Sequence, residues 1–348
     1  MPVSIFSNSL VAGLFVLLSL IKANPLDDAK PKLSDYGFFR EPIAEQIPVD
    51  NIFSYRISTE LFTDYAFKSR FIVLPEEKKI SYISSGEFDF PVGTIFIKTF
   101  YYPADFRFPE NNWQIIETRL LVHTPEGWTG YPYVWNSEQT DAILEIAGDR
   151  QNISWIDKQG KTQNVNYLVP NFNMCKGCHV INKTFQPIGP KPRLLNCENI
   201  INNTNKNQLE EMLELDMVEK MPPIKSIQAT VEWDNDQYSL NDRARAYLDV
   251  NCAHCHNSKG PANTSGLFLE YHEKDGKKLG VFKPPVAAGR GSGDLDFNIV
   301  PGKPDESIFI YRMESTDPGI LMPESGRKMV HKEGVALIRD WILSLEGN

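Results

Sequence analysis

Cysteine is scarce in this chain and unevenly placed. There are five among 348 residues, namely Cys175, Cys178, Cys197, Cys252 and Cys255, and none precedes Cys175. A disulfide framework scatters its cysteines through the domains it staples, so this distribution argues against one. Basic clusters are missing as well. The formal net charge is −9, and a nucleic-acid partner, which needs concentrated Lys and Arg for its phosphates, is not expected. Long apolar runs are also lacking. The run at residues 10–21 is too short to span a bilayer comfortably and has the length of a signal-peptide core. No Lys or Arg precedes it, and Ala23 is a suitable last residue to be removed. The expectation is a cleaved secretory signal over 1–23, no stable membrane span afterwards, and a periplasmic or secreted protein.

What the chain does have is an apolar fraction of 41%, enough to fill real cores, and a length that favours more than one domain. From residue 55 to about 170, short β-branched and aromatic runs alternate with turns. Residues 71–74, 79–83, 94–102 and 115–123 read as strands, and Pro125-Glu126-Gly127 and Lys158-Gln159-Gly160-Lys161 read as hairpin turns. In the run 94–102 neither alternating set is purely polar, as in a strand buried on both faces. The spacing predicts an antiparallel β-sandwich-like domain over 24–170. Its many tryptophans and tyrosines read as core, and His123 as a structural histidine.

Four of the five cysteines fall into two C-x-x-C-H runs, Cys175-Lys176-Gly177-Cys178-His179 and Cys252-Ala253-His254-Cys255-His256. This is the attachment signature of a c-type haem. The cysteines form thioethers and the histidine binds iron through an imidazole nitrogen. Cys175, Cys178, Cys252 and Cys255 are therefore the expected attachment points of two covalent haem c groups, with His179 and His256 as iron ligands. Zinc is the competing reading of the first run, because two thiolates and an imidazole lack only a fourth ligand. The residues leading into that run, 167–174, read as extended or irregular, with a proline. Cys197 reads as a small buried hydrophobe.

Between the two runs, residues 207–220 read as an amphipathic helix. Met221, before Pro222-Pro223, is the candidate distal ligand of the first haem, with Met174, Met212 and Met217 as rivals. The region 226–348 reads as an all-α class I cytochrome c domain. Residues 239–250 form a helix that Ser239 or Asn241 can cap, running straight into Cys252. A carbonyl near Gly260-Pro261 is expected to hold the His256 ring. Arg290, in the loop 284–293, is a candidate partner for a haem propionate. That loop is no phosphate-binding fingerprint, since no βαβ context surrounds it. A short helix follows at 304–313. Met322, between Leu321 and Pro323, is the candidate distal ligand of the second haem. A final helix spans 332–345, with Gly334, Ile338, Trp341 and Ile342 on its buried stripe, able to cross the helix that carries Tyr247. His254 is expected to point away from the iron, and His272 and His331 have no assigned role.

The stretches CKGCH with PIGPKPRLLN, RARAYLDVNCAHCHNSKGPANTSGL, PPVAAGRGSG with IVPGKP, STDPGILMPESGR and EGVALIRDWI resemble bacterial diheme c-type cytochromes with an N-terminal β domain. The resemblance covers nearly the whole chain after residue 23. It implies two covalent haems, with 171–225 as the first attachment segment, and electron transfer with redox protein partners in the periplasm. An electron carrier is the leading expectation. The alternative is a haem oxidoreductase, peroxidase-like, with an open position at the first haem. A third reading makes the β domain a binding module and the haem region its accessory.

Overall fold

The computed structural model describes residues 29–83, 85–199, 201 and 206–346. The expected signal segment lies outside the described residues. Among these residues twelve strands form, in chain order β1 Ile52–Ser54, β2 Phe67–Val73, β3 Ser81–Tyr82, β4 Phe88–Asp89, β5 Ile95–Pro103, β6 Trp113–Thr124, β7 Gly127–Trp135, β8 Ala142–Leu144, β9 Asp149–Ile156, β10 Thr162–Val169, β11 Val180–Ile181 and β12 Thr184–Phe185. The helices are α1 Phe172–Lys176, α2 Pro192–Leu195, α3 Gln208–Glu214, α4 Leu240–Asn251, α5 Gly276–Leu279, α6 Ile308–Glu314 and α7 Lys332–Ser344. No helix among the described residues is long and apolar enough to cross a membrane.

One antiparallel sheet dominates, six strands in the order β1-β2-β5-β6-β7-β8. Its strands are long where β-branched and aromatic residues are dense, as in β5 and β6. Because side chains alternate between faces, the register sorts them. Phe71, Ile97, Leu120 and Tyr131 align on one face and are buried beneath Leu33, Phe38, Phe39 and Ile43. On the other face, Ile72 and Phe96 are covered by Leu195, Leu209, Met212 and Val218. Farther along that face, Phe100 packs with Ile153, Trp155, Val165 and Tyr167 of the β9–β10 ribbon. A strip between these two apolar covers carries Arg70, Lys98 and Arg119 and lines a cavity.

The expected sandwich followed by an all-α class I cytochrome c domain is overturned. Among the described residues the largest unit is an antiparallel six-stranded sheet, only 23% of those residues are helix, and no all-α domain of that kind is evident. The two-faced apolar pattern of β5 does not mean a second large sheet, because loops, the short ribbon and a helical segment cover the faces instead. In the C-terminal third, glycine and proline keep the chain between α4 and α6 in turns, short 3-10 turns and the one-turn α5. There α4, α6 and α7 surround a core of Tyr247, Leu248, Ile310, Ile338, Trp341 and Ile342.

Several elements differ in extent from the sequence expectation. The segment before the first C-x-x-C-H ends in a one-turn helix, α1, because the Asn171 side chain accepts a hydrogen bond from the Met174 amide at 2.9 Å. The helix expected over 207–220 stops at Glu214, and Asp216 follows in the left-handed region with φ 57°. The helix before Cys252 is capped by Ser239, whose hydroxyl accepts the Asp242 amide at 3.1 Å.

Candidate functional site

Both C-x-x-C-H runs fold into the same small turn. In the first, the amides of Cys178 and His179 donate to the Cys175 carbonyl at 3.2 and 3.0 Å. In the second, the amides of Cys255 and His256 donate to the Cys252 carbonyl at 3.1 and 2.9 Å. This turn brings each pair of thiols and the following imidazole to one side of the backbone. In the second run it is packed tightly, since a Cβ on Gly260 would collide with the Cys255 carbonyl.

The two turns face one cavity of about 1310 Å³, lined by Cys175, Cys178, His179, Cys252, Cys255, His256 and Met322. Pockets for ordinary small ligands run to about 1,000 Å³, so the space suits something larger. The runs also meet each other. Ligand atoms of Cys178, His254 and Cys255 all lie within 4.8 Å of one another. His254, expected to point outward, therefore turns into the cavity, with its Nδ1 3.3 Å from the Val250 carbonyl.

The histidine that ends each run has one ring nitrogen engaged. His179 Nδ1 donates to the Gln186 carbonyl at 3.0 Å. His256 Nδ1 lies 3.1 Å from Ser265 Oγ. The Ser265 hydroxyl donates its own proton to the Ala262 carbonyl at 2.7 Å, so it accepts from the imidazole. The acceptor is thus Ser265 and not a carbonyl at Gly260-Pro261. In both rings Nε2 is left with a free lone pair. Burial holds both imidazole pKa values down, to about 4, which keeps the rings neutral, as metal ligation requires.

The thiols sit in contrasting surroundings. Burial pushes Cys252 up to about 12 and also raises Cys175. A hydrogen bond from Cys255 lowers Cys178, assisted by His254, and Cys255 rises in turn.

No protein-family model, curated protein or solved structure matches this chain.

Met322 lines the cavity with its backbone fixed from two sides. Its amide donates to the Arg312 carbonyl at 3.1 Å, and its own carbonyl accepts from Arg327 Nη2 at 2.8 Å. Met221 is elsewhere, packed against the core of Ile80, Met212 and Val218. Met174 reaches the cavity instead, from α1. Arg290 is a surface residue, its side chain 66% exposed and paired with Asp317 at 2.7 Å, and it does not line the cavity. His123 hydrogen-bonds the Phe90 carbonyl and stacks on Trp128. Sequence reasoning missed Gln186, Ser265, His254 and the strip of Arg70, Lys98 and Arg119. Ser265 lies nine residues past its histidine, and no motif flags it. The strip becomes visible only when strand pairing is known.

Proposed function

We propose that the protein is a diheme c-type cytochrome that carries electrons between redox protein partners outside the cytoplasmic membrane. The observation that carries this reading is that both C-x-x-C-H turns open onto one cavity with each histidine's Nε2 free. The residues fit the group. Cys175 and Cys178 would hold one porphyrin, and Cys252 and Cys255 the other, through thioethers. His179 and His256 would supply imidazole to the irons, and Met322 a thioether. Bound haem supplies reversible one-electron transfer. The chain's part is positional. The Gln186 carbonyl and the Ser265 hydroxyl fix the two imidazole tautomers and raise their basicity. Arg327 and the Arg312 carbonyl hold the Met322 backbone at the cavity wall. The resemblance of the motif-bearing stretches to bacterial diheme c-type cytochromes supports the same reading.

The haem oxidoreductase reading is favoured by one observation. Met221 is locked in a core away from the cavity, which leaves no proline-flanked methionine assigned to the first site. A zinc reading is favoured by the Cys178, His254 and Cys255 cluster, an N/S donor set drawn from both runs.

Intact mass of protein matured in a host that attaches haem, with peptide mapping, decides among these. Two haems, one on each cysteine pair, are expected. A colourless product carrying zinc would overturn the cytochrome reading. Carbon monoxide added to the reduced diheme form should leave the visible bands unchanged for a carrier and shift them for an enzyme with an open iron position.

A further inference from the structure

Arg70 on β2, Lys98 on β5 and Arg119 on β6 are direct cross-strand partners, a row of three cations across adjacent strands. Like charges placed opposite one another on a sheet are destabilising. The row faces the cavity from the middle of the sheet. Its outer members have counterions: Arg70 meets Glu60 at 2.8 Å, and Arg119 meets Glu117 at 2.5 Å. Those carboxylates are already shared. Glu60 also faces Lys68 at 3.5 Å, and Glu117 accepts the Tyr167 hydroxyl at 2.6 Å. Lys98, in the centre, has no carboxylate at ion-pair distance among the described residues, only the Phe100 ring at 5.0 Å. Arg70 Nη2 is buried without a hydrogen-bond partner.

The wider wall has the same sign. Nine Lys or Arg line the cavity against five Asp or Glu, in a chain where acidic residues outnumber basic ones, 45 to 36. Burial, and then Arg70, Lys68 and Arg119, push the Lys98 ammonium well below its ordinary pKa, as befits a cation denied its counterion.

We infer that the row of Arg70, Lys98 and Arg119 is an oxyanion site on the sheet wall of the cavity, built to take carboxylate or phosphate oxygens. Two sources supply that chemistry. One is the pair of propionates on a porphyrin tethered at Cys175 and Cys178, which rests on the function proposed above. The other is a small free dianion entering the cavity, which does not. The site is set by cross-strand register and by two carboxylates too few for four cations, so an anion there completes charge-assisted hydrogen bonds that the protein leaves open.

The test is thermal melting of the purified protein, haem-loaded if haem is attached, for the wild type and Lys98→Gln. Each is titrated with succinate and with inorganic phosphate against sodium chloride at equal ionic strength. Intact mass reports haem content independently. A free dianion is the occupant if succinate or phosphate raises the wild-type midpoint beyond the chloride baseline and Lys98→Gln abolishes the rise. Tethered carboxylates are the occupant if neither anion acts, porphyrin is on Cys175 and Cys178, and Lys98→Gln lowers the midpoint by about 2 °C or more. The inference is overturned if neither anion acts and Lys98→Gln melts at or above the wild type, since removing an uncompensated cation from the row would then only relieve repulsion. It is also overturned if an anion effect survives Lys98→Gln, or if the midpoint drops without porphyrin or anion. Lys98→Met is read in the same way should Lys98→Gln fail to fold.

Discussion

His331 illustrates how much a lone histidine can carry once it is buried. Its ring stacks on Phe62 at 4.2 Å, and its Nδ1 lies 3.0 Å from the Tyr247 hydroxyl. Burial holds its pKa down to about 4, with Glu333 offsetting only part of the effect. The unfolded value is near 6.5, so between these limits only the unfolded chain takes up the proton. Stability should therefore fall as pH drops below about 6.5 and be unaffected by this group above it. At pH 5 the loss from His331 is about 2 kcal/mol. Denaturant melts at about pH 5 and pH 7 should show a smaller difference in His331→Gln than in the wild type, and equal differences would contradict the assignment. Met322 is the other residue to test singly. In haem-loaded protein, Met322→Leu should lower the reduction potential of one haem and leave the other in place, because thioether ligation raises the potential. An unchanged voltammogram would remove Met322 from the ligand set.

At the scale of elements, the crossing of α4 and α7 depends on one missing side chain. Gly334 lies against Tyr247, and a Cβ there would collide with the phenol ring and its hydroxyl. In an open helix Gly→Ala gains about 1 kcal/mol. Here the expected result is the reverse, a loss of about 1–3 kcal/mol from overpacking. Urea unfolding of Gly334→Ala gives the sign directly, and a stabilised variant would show that the two helices can separate at no cost. The two C-x-x-C-H turns belong to this scale too. The two hydrogen bonds that close each turn onto its first cysteine correspond, although one turn follows the 12-residue α4 and the other begins within the single-turn α1. The turn is therefore set by the five-residue run itself and not by a long helix leading into it.

Across the whole molecule, the segment after the first C-x-x-C-H turn is tied to the helix before the second. Arg193 of α2 grips Asp249 of α4 with two hydrogen bonds, 2.5 and 3.1 Å, and the Asp249 side chain is 2% exposed. Asp64, near the sheet, accepts the amides of Lys328 and Met329 just past the Met322 loop, at 2.6 and 2.7 Å. Polar contacts at the cavity wall thus cross the sequence position 225/226. Asp249→Ala strands the Arg193 guanidinium beside Thr230 and should cost about 3–5 kcal/mol, read from the denaturation midpoint. A cost below about 1 kcal/mol, ordinary for an exposed pair, would mean that the bridge is not buried in solution.

The sequence alone carried the expectation of haem attachment. Cysteines confined to two C-x-x-C-H runs and a methionine in a proline-flanked loop are local patterns that survive any folding of the rest. Strand positions such as 94–102 and the helix into Cys252 were legible for the same reason, since periodicity and caps are local. Tertiary structure alone decided what meets across the cavity. Ser265 behind His256, Gln186 behind His179, His254 beside Cys178, and Arg70 aligned with Lys98 and Arg119 all depend on register and loop closure. A one-residue slip of any one of the three strands would turn its cation to the other face, so the row exists only once the strands are paired in this register.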